Sequence, residues 1–162
     1  MHLTTYTDYS VRVLLYAALK GDSLSNIGEI ARAYGISRNH LMKVVHGLAR
    51  HGYITTMRGK GGGLRLARPP KDIRMGAVVR DTESEIAPAP CAPKRDGQNC
   101  PIESACRWRT ALDGAMKSFL EKLDEVTLAD LSEPRSDLTR LLGLDMPPVD
   151  PAAPAVADGP AA

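Results

Sequence analysis

Apolar residues Val11, Leu14, Leu15, Ala18 and Leu19 recur at intervals of three and four, the spacing of a helix with one buried face, and predict a helix over residues 8–19 that Gly21 ends. Ser25 or Asn26 is placed to cap a second helix over residues 27–34, with Glu29 in its first turn and Ile27, Ile30 and Ala31 facing inward. Gly35 breaks it. Ser37 then reads as the N-cap of a third helix, whose Leu41, Val44, Val45 and Leu48 form a buried stripe and which stops at Gly52. A short helix, a glycine-containing turn and a second helix that opens on polar residues make a helix-turn-helix pattern. Residues 53–57 have strand-type side chains, residues 59–63 form a glycine-rich turn, and residues 64–66 alternate like a returning strand. The expected hairpin, or wing, ends at Pro69 and Pro70, and Met75, Val78 and Val79 predict helix again within residues 73–82.

Residues 85–99 are rich in proline, alanine and polar side chains without periodicity, and are expected to form a loop. A long helix follows over residues 102–124, with Leu112, Ala115, Met116, Phe119, Leu120 and Leu123 on one stripe. Because the winged unit is expected to be complete by residue 82, this stripe is read as meeting a second subunit as well as its own chain. Thr127 is placed to cap a further short helix, and the proline- and alanine-rich residues from 147 onward offer no core and predict disorder. The expected fold is mainly α: a winged helix-turn-helix over residues 1–82, a cysteine-bearing loop over 83–106, a long dimerisation helix with a helical segment over 107–144, and a disordered tail over 145–162.

The total charge, +2 over 162 residues, discriminates little. Its distribution discriminates more. Arg58, Lys60, Arg65, Arg68, Lys71, Arg74 and Arg80 form a basic stretch, whereas residues 113–137 are rich in Asp and Glu, so the basic half is a candidate phosphate-binding surface. Nothing approaches the roughly 20 consecutive apolar residues of a membrane span, and Met1-His2-Leu3-Thr4-Thr5 lacks the start of a signal segment, so a cytoplasmic protein with no membrane partner is expected.

Three chemistries fall within one turn at Ser37-Arg38-Asn39-His40: Arg bonds guanine O6 and N7, Asn bonds adenine N6 and N7, and a helix N-terminus favours phosphate. With Lys43 one turn on, these residues are candidate DNA contacts. The plainer alternative is a capped, solvated surface helix. In the wing, Arg58, Lys60, Gly61, Gly62 and Arg65 combine cations suited to a narrow minor groove with glycines that allow close backbone approach. As a nucleotide phosphate loop this segment fails, since it joins two strands and lacks the Gly-Lys-Ser/Thr order. No base–nucleophile pair suggests an enzyme.

The three cysteines, Cys91, Cys100 and Cys106, are odd in number and clustered, which a secreted disulfide framework explains poorly. Unligated thiols, or one disulfide and a free thiol, remain open readings. Structural zinc usually shows a tighter cysteine pair than these intervals of eight and five residues, whereas iron–sulfur ligation tolerates wider, loop-borne spacing. Three thiolates leave a four-ligand site incomplete, so a fourth ligand must come from elsewhere.

Together with the opening Leu3-Thr4-Thr5-Tyr6-Thr7-Asp8-Tyr9, Arg12 one turn later, and Thr127-Leu128-Ala129-Asp130-Leu131, these motifs resemble the nitric-oxide-sensing repressors of the winged-helix family that also contains the iron–sulfur biogenesis repressor. The resemblance spans residues 1–144. It implies a homodimer on a palindromic double-stranded operator, with a cluster held by Cys91, Cys100 and Cys106 of one chain and by Asp8 of the partner. It also implies release of nitric-oxide-detoxification genes. Asp8 has local readings too, as a carboxylate favoured by a helix N-terminus or as an i, i+4 partner of Arg12. The biogenesis repressor's pattern has a histidine three residues after the third cysteine, suited to a two-iron cluster (2Fe-2S). Here Arg109 stands there, which favours a four-iron cluster (4Fe-4S). The interval between Cys91 and Cys100 is longer than in the family's pattern. Two further readings are a regulator that reports iron–sulfur supply, and a clusterless thiol switch whose winged domain docks a partner protein.

Overall fold

The computed structural model describes residues 2–84, 86 and 100–144. The predicted loop of residues 85–99, apart from residue 86, and the predicted disordered tail lie outside the described residues.

Helix α1 (Thr5–Lys20) begins a turn earlier than the apolar spacing predicts, because its first turn is organised by hydrogen bonds. Thr4 is the N-cap and accepts from the Thr7 N–H. Thr7 and Ser10 are fully buried, and the Ser10 hydroxyl donates back to the Tyr6 carbonyl at 2.8 Å. Val13, Leu14, Tyr16, Ala17, Ala18 and Leu19 are also buried, so α1 is a central helix rather than a half-solvated one.

Helix α2 (Ile27–Tyr34) has the predicted bounds, with Asn26 accepting from the Glu29 N–H and donating to its carboxylate, both at 2.9 Å. Gly35 follows in the left-handed conformation. Helix α3 (Arg38–Arg50) buries Leu41, Val44, Val45 and Leu48 against α1 and α2. Ser37 occupies the N-cap position but makes no side-chain capping bond, contrary to expectation. Strands β1 (Ile54–Met57) and β2 (Gly63–Leu66) pair antiparallel, Ile54 opposite Leu66 and Met57 opposite Gly63. A bridge between Ser25 and Leu64 ties this wing to the approach to α2.

Helix α4 (Met75–Thr82) is followed, beyond the undescribed segment, by a 3-10 turn at Glu103–Ala105 and helix α5 (Arg107–Asp124). The single helix predicted from residue 102 is thus broken at Cys106, whose backbone is extended. The chain then returns. Helix α6 (Leu128–Leu131) opens with a capping box between Thr127 and Asp130, and α7 (Arg135–Leu141) follows. Leu128 is fully buried in the same core as α1, α3 and α4, and its N–H donates to the Ile73 carbonyl at 2.8 Å. The Met75 N–H donates to Val126, and the Arg135 guanidinium donates to the α1 carbonyls of Ala18 and Leu19. The winged unit is therefore closed by residues 126–135 rather than complete at residue 82.

Because Leu128 contributes a fully buried side chain from beyond α5, Leu128→Ala is expected to destabilise the entire unit by about 2–5 kcal/mol. Urea unfolding followed by circular dichroism should show one cooperative transition shifted to lower denaturant; loss of α6 and α7 signal alone would contradict this core assignment.

Candidate nucleic-acid interface and cysteine site

The recognition candidates on α3 share its exposed side. Ser37, Arg38, Asn39, His40 and Lys43 are all exposed on the first turns of α3, because the buried stripe of Leu41, Val44 and Val45 turns the opposite side of the helix inward. Arg58, Lys60 and Gly61 lie in the exposed turn between the strands, and Arg65 is exposed on β2. Gly59 and Gly61 have φ of 101° and 82°, and a Cβ on Gly62 would stand 2.3 Å from the Met57 carbonyl oxygen, so this turn closes only with glycine. Among the described residues Arg38, Lys43, Arg58, Lys60 and Arg65 have no acidic partner; Arg38 borders the cleft between α3 and the wing, whereas Arg65 borders a separate one beside Ala17, Ala18 and Asp22. The rest of the basic stretch divides differently. Arg68 stacks over the Tyr53 ring at 4.5 Å, Arg74 donates to the Asp124 carbonyl, and Arg80 pairs with the Asp124 carboxylate, so these three cations serve the fold.

Between α3 and the wing runs a cleft of about 400 Å³, bordered by Arg38 and Met42 on α3, Gly28 on α2, and Met57 on β1. The Arg38 guanidinium folds back over α2: a Cβ at Gly28 would come within 2.9 Å of its Nη2. Met42 and Met57 were not singled out by sequence reasoning. Met42 lies four residues after Arg38, and that helical interval was the available signal.

The last turn of α4 joins three elements. Arg80 binds the end of α5 through Asp124. Asp81 accepts from the buried Tyr53 hydroxyl at 2.6 Å, just beyond the end of α3, and burial with this bond raises the Tyr53 pKa. Glu83 accepts from the Thr4 N–H at 2.7 Å and from the Thr7 hydroxyl at 2.5 Å, anchoring the start of α1 beside the root of the cysteine segment. Burial by itself would push the Glu83 carboxyl up, but the bonds from Thr7 and Thr4 prevail and hold it below the ordinary value of 4.5. Sequence reasoning missed this anchor, since neither threonine nor glutamate falls on an apolar stripe.

Asp8 stands in the first turn of α1 and pairs with Arg12 at 3.0 Å, both side chains being roughly half exposed. Arg12 also lies over the Tyr34 ring at 5.5 Å, and burial pushes the Tyr34 hydroxyl up to about 12 against the pull of Arg12. The same end of α1 lies directly on the recognition helix. Tyr9 and His40 have ring centroids 6.3 Å apart, and the Tyr6 hydroxyl occupies the space a Cβ on Gly47 would fill.

Cys100 is exposed and Cys106 half-buried at the N-cap position of α5, and both thiols are free. A pair of accessible soft donors beside a helix N-terminus suits a thiolate-bound, anionic metal cluster. Cys91 lies outside the described residues. Among the described residues no three histidine, cysteine or carboxylate side chains converge, so Asp8 does not join Cys100 and Cys106 within one chain. Arg109, where the two-iron pattern has histidine, lies 3.9 Å from Asp113.

Residues 3–134 match the model of the Rrf2 family, described as iron-dependent transcriptional regulators. The chain is 47% identical over 143 residues to the HTH-type transcriptional regulator NsrR of Geobacillus kaustophilus (strain HTA426), covering 88% of this chain and 97% of that protein. Among solved structures, CymR of B. subtilis, a global cysteine regulator, superposes with a TM-score of 0.61 at 26% identity, covering 82% of this chain and 96% of CymR. IscR of T. potens shares the fold with a TM-score of 0.65 at 24% identity, over 85% and 90% of the two chains. Among the described residues no helix is long and apolar enough to cross a membrane.

The depressed Glu83 pKa fixes the sign of a pH dependence. Its contribution is complete above the ordinary carboxylate value and is lost as pH falls through the lower, folded value. Glu83→Gln is expected to cost about 1 kcal/mol or less at neutral pH, after allowance for solvent screening. The melting-temperature gap between wild type and variant should narrow as pH falls to about 3. A gap that widens on acidification would contradict the assigned hydrogen bonds.

Proposed function

The chain belongs to the Rrf2 family of iron-dependent transcriptional regulators, and on that premise we propose that it is a homodimeric repressor whose grip on a palindromic operator answers to nitric oxide through an iron–sulfur cluster. It is a DNA-binding regulator of transcription, with a winged helix rather than an enzyme's site. In this reading α3 enters the major groove with Ser37, Arg38, Asn39, His40 and Lys43, while Arg58, Lys60, Gly61, Gly62 and Arg65 of the wing meet the backbone and minor groove. The protein works in the cytoplasm, where thiols stay reduced.

Cys91, Cys100 and Cys106 of one protomer and the partner's Asp8 would hold the cluster, which when bound supplies reactivity toward nitric oxide. Arg109 in the histidine position favours the four-iron form. The observation that carries the reading is the placement of Asp8: it sits on the helix end that packs on α3 through Tyr6 and Tyr9, and only an exposed ion pair with Arg12 restrains it. Exposed pairs contribute about 1 kcal/mol or less, so Asp8 is free to take up another ligand role. Arg12 keeps its position over Tyr34 when Asp8 leaves. A shift of the first turn of α1 is thereby passed to the recognition helix by direct packing. The relative's name, NsrR, supports nitric oxide as the signal.

The dimer is supported by α5, where Trp108, Ala111, Leu112, Ala115 and Phe119 recur at intervals of three and four. Trp108 is 65% exposed, and this row is left partly or fully uncovered by the chain's own core.

Anaerobic visible spectra with iron analysis, and gel shifts before and after a nitric-oxide donor, test the cluster. Cys100→Ala and Cys106→Ala are expected to lose colour, iron and operator binding, while Asp8→Ala retains iron and loses selectivity of response. Operator binding unchanged by all three substitutions would count against the mechanism, and iron-free wild type from anaerobic preparation would favour the thiol switch. A response to iron–sulfur supply but none to nitric oxide would favour the supply regulator. For the dimer, Ala115→Arg places a charge on the uncovered row without touching the core, and light scattering should report a shift from dimer toward monomer.

A further inference from the structure

The cleft between α3 and the wing holds chemistry that phosphate binding leaves unused. Its rim carries Arg38, and Arg58 and Lys60 stand in the turn that follows Met57; none of the three has an acidic partner among the described residues. Its interior is apolar. Met42 and Met57, 51% and 54% exposed, border the same cleft over the buried floor of Val45 and Leu64. One exposed apolar side chain calls for no explanation. Two flexible thioethers over one apolar floor, with the unpaired Arg38 at its edge, form a spot that favours an apolar group over water or phosphate.

Helical geometry separates the labour on α3. Arg38 and Met42, one turn apart, line the cleft, whereas Asn39 and Lys43, also one turn apart, do not. The Arg38 guanidinium is drawn back against Gly28 at the start of α2. The next residue along that row toward the wing is Met42. A base pair offers the major groove a single strongly apolar group, the 5-methyl of thymine. Arg38 and the cations of the neighbouring turn bring DNA to this face, and the apolar interior then has one matching target.

We propose that Met42, supported by Met57, is a specificity-determining residue that reads a thymine in each operator half-site through its 5-methyl group. This rests on the assignment of α3 and the wing as the operator-facing surface. Asn39 and Lys43 supply hydrogen bonds to neighbouring base edges, and Arg38 holds position near the backbone. The methionine discriminates thymine from cytosine by packing, which adds selectivity without another charge and therefore without greater salt dependence.

The test uses full-length, anaerobically prepared protein and the duplex it enriches from a random-sequence pool. Each thymine is replaced in turn by deoxyuridine, which removes only the methyl, and affinity is measured at fixed salt. At least one thymine per half-site should lose about four-fold in affinity, the value of one buried methyl-sized group. In Met42→Gln, which keeps side-chain length and helix propensity, that penalty should disappear. In Asn39→Ala it should remain. Because Met42 is exposed, an unchanged melting temperature verifies that the variant is folded. Deoxyuridine tolerated at every position, or an equal penalty in wild type and Met42→Gln, overturns the proposal. So does a change in the sedimentation of DNA-free Met42→Gln with thymine sensitivity intact, which would make the cleft a protein contact. If wild type enriches no duplex at all, the operator-facing assignment fails first, and the proposal falls with it.

Discussion

The orientation of the recognition helix depends on the absence of a side chain at Gly47. The Tyr6 hydroxyl occupies the space where a Cβ would stand, so the Tyr6 side chain of α1 seats directly on the α3 backbone at this position. Beside that contact Tyr9 lies against His40, and Ser10 and Val13 of α1 are fully buried. Packed interfaces of this kind move as units. In the proposed mechanism, a displacement at the first turn of α1 is carried into α3 through this packing.

The polar residues that hold this arrangement work against expectation for their type. Thr7 and Ser10 lie fully buried in α1; Glu83 reaches Thr7 from the end of α4, and the Ser10 hydroxyl donates to the Tyr6 carbonyl. A threonine at the centre of a helix interface is tolerable because its hydroxyl is bonded to Glu83 and Thr82. Arg80, Asp81 and Glu83 then bind, within four residues, the end of α5, the exit from α3 and the entry to α1. Hydrophobic burial sets how strongly these elements associate. The short run of charged residues sets their relative positions.

This division explains what was legible in the sequence. Periodicity placed α2 at its observed bounds and the wing to within a residue, since Ile30, Leu41, Val44 and Leu64 are apolar residues buried for apolar reasons. It missed the first turn of α1, where buried positions are hydroxyl-bearing. It also ended the winged unit too early, because nothing local to Leu128 says that it packs beside Ile73. Ser37 was read as a capping residue from its type, yet its hydroxyl is left unused by the helix. The candidate DNA contacts could be read from sequence because their chemistry is local to one turn, and the structure leaves them exposed. The proposed cluster ligands are legible only as residue types, because they are divided between a segment without periodicity and, in the proposed dimer, a second chain.

The return of the chain after α5 has a consequence for how the protein is made. Leu128 and the strand-like bridge from Thr127 to Arg74 are synthesised after Cys91, Cys100 and Cys106. On the ribosome, the core beneath the recognition helix therefore lacks its final side chain until all three thiols have been translated. Folding of the winged unit is completed only by a segment that follows the proposed cluster ligands. A chain truncated before its sensor is finished is thus left without a properly closed reading head.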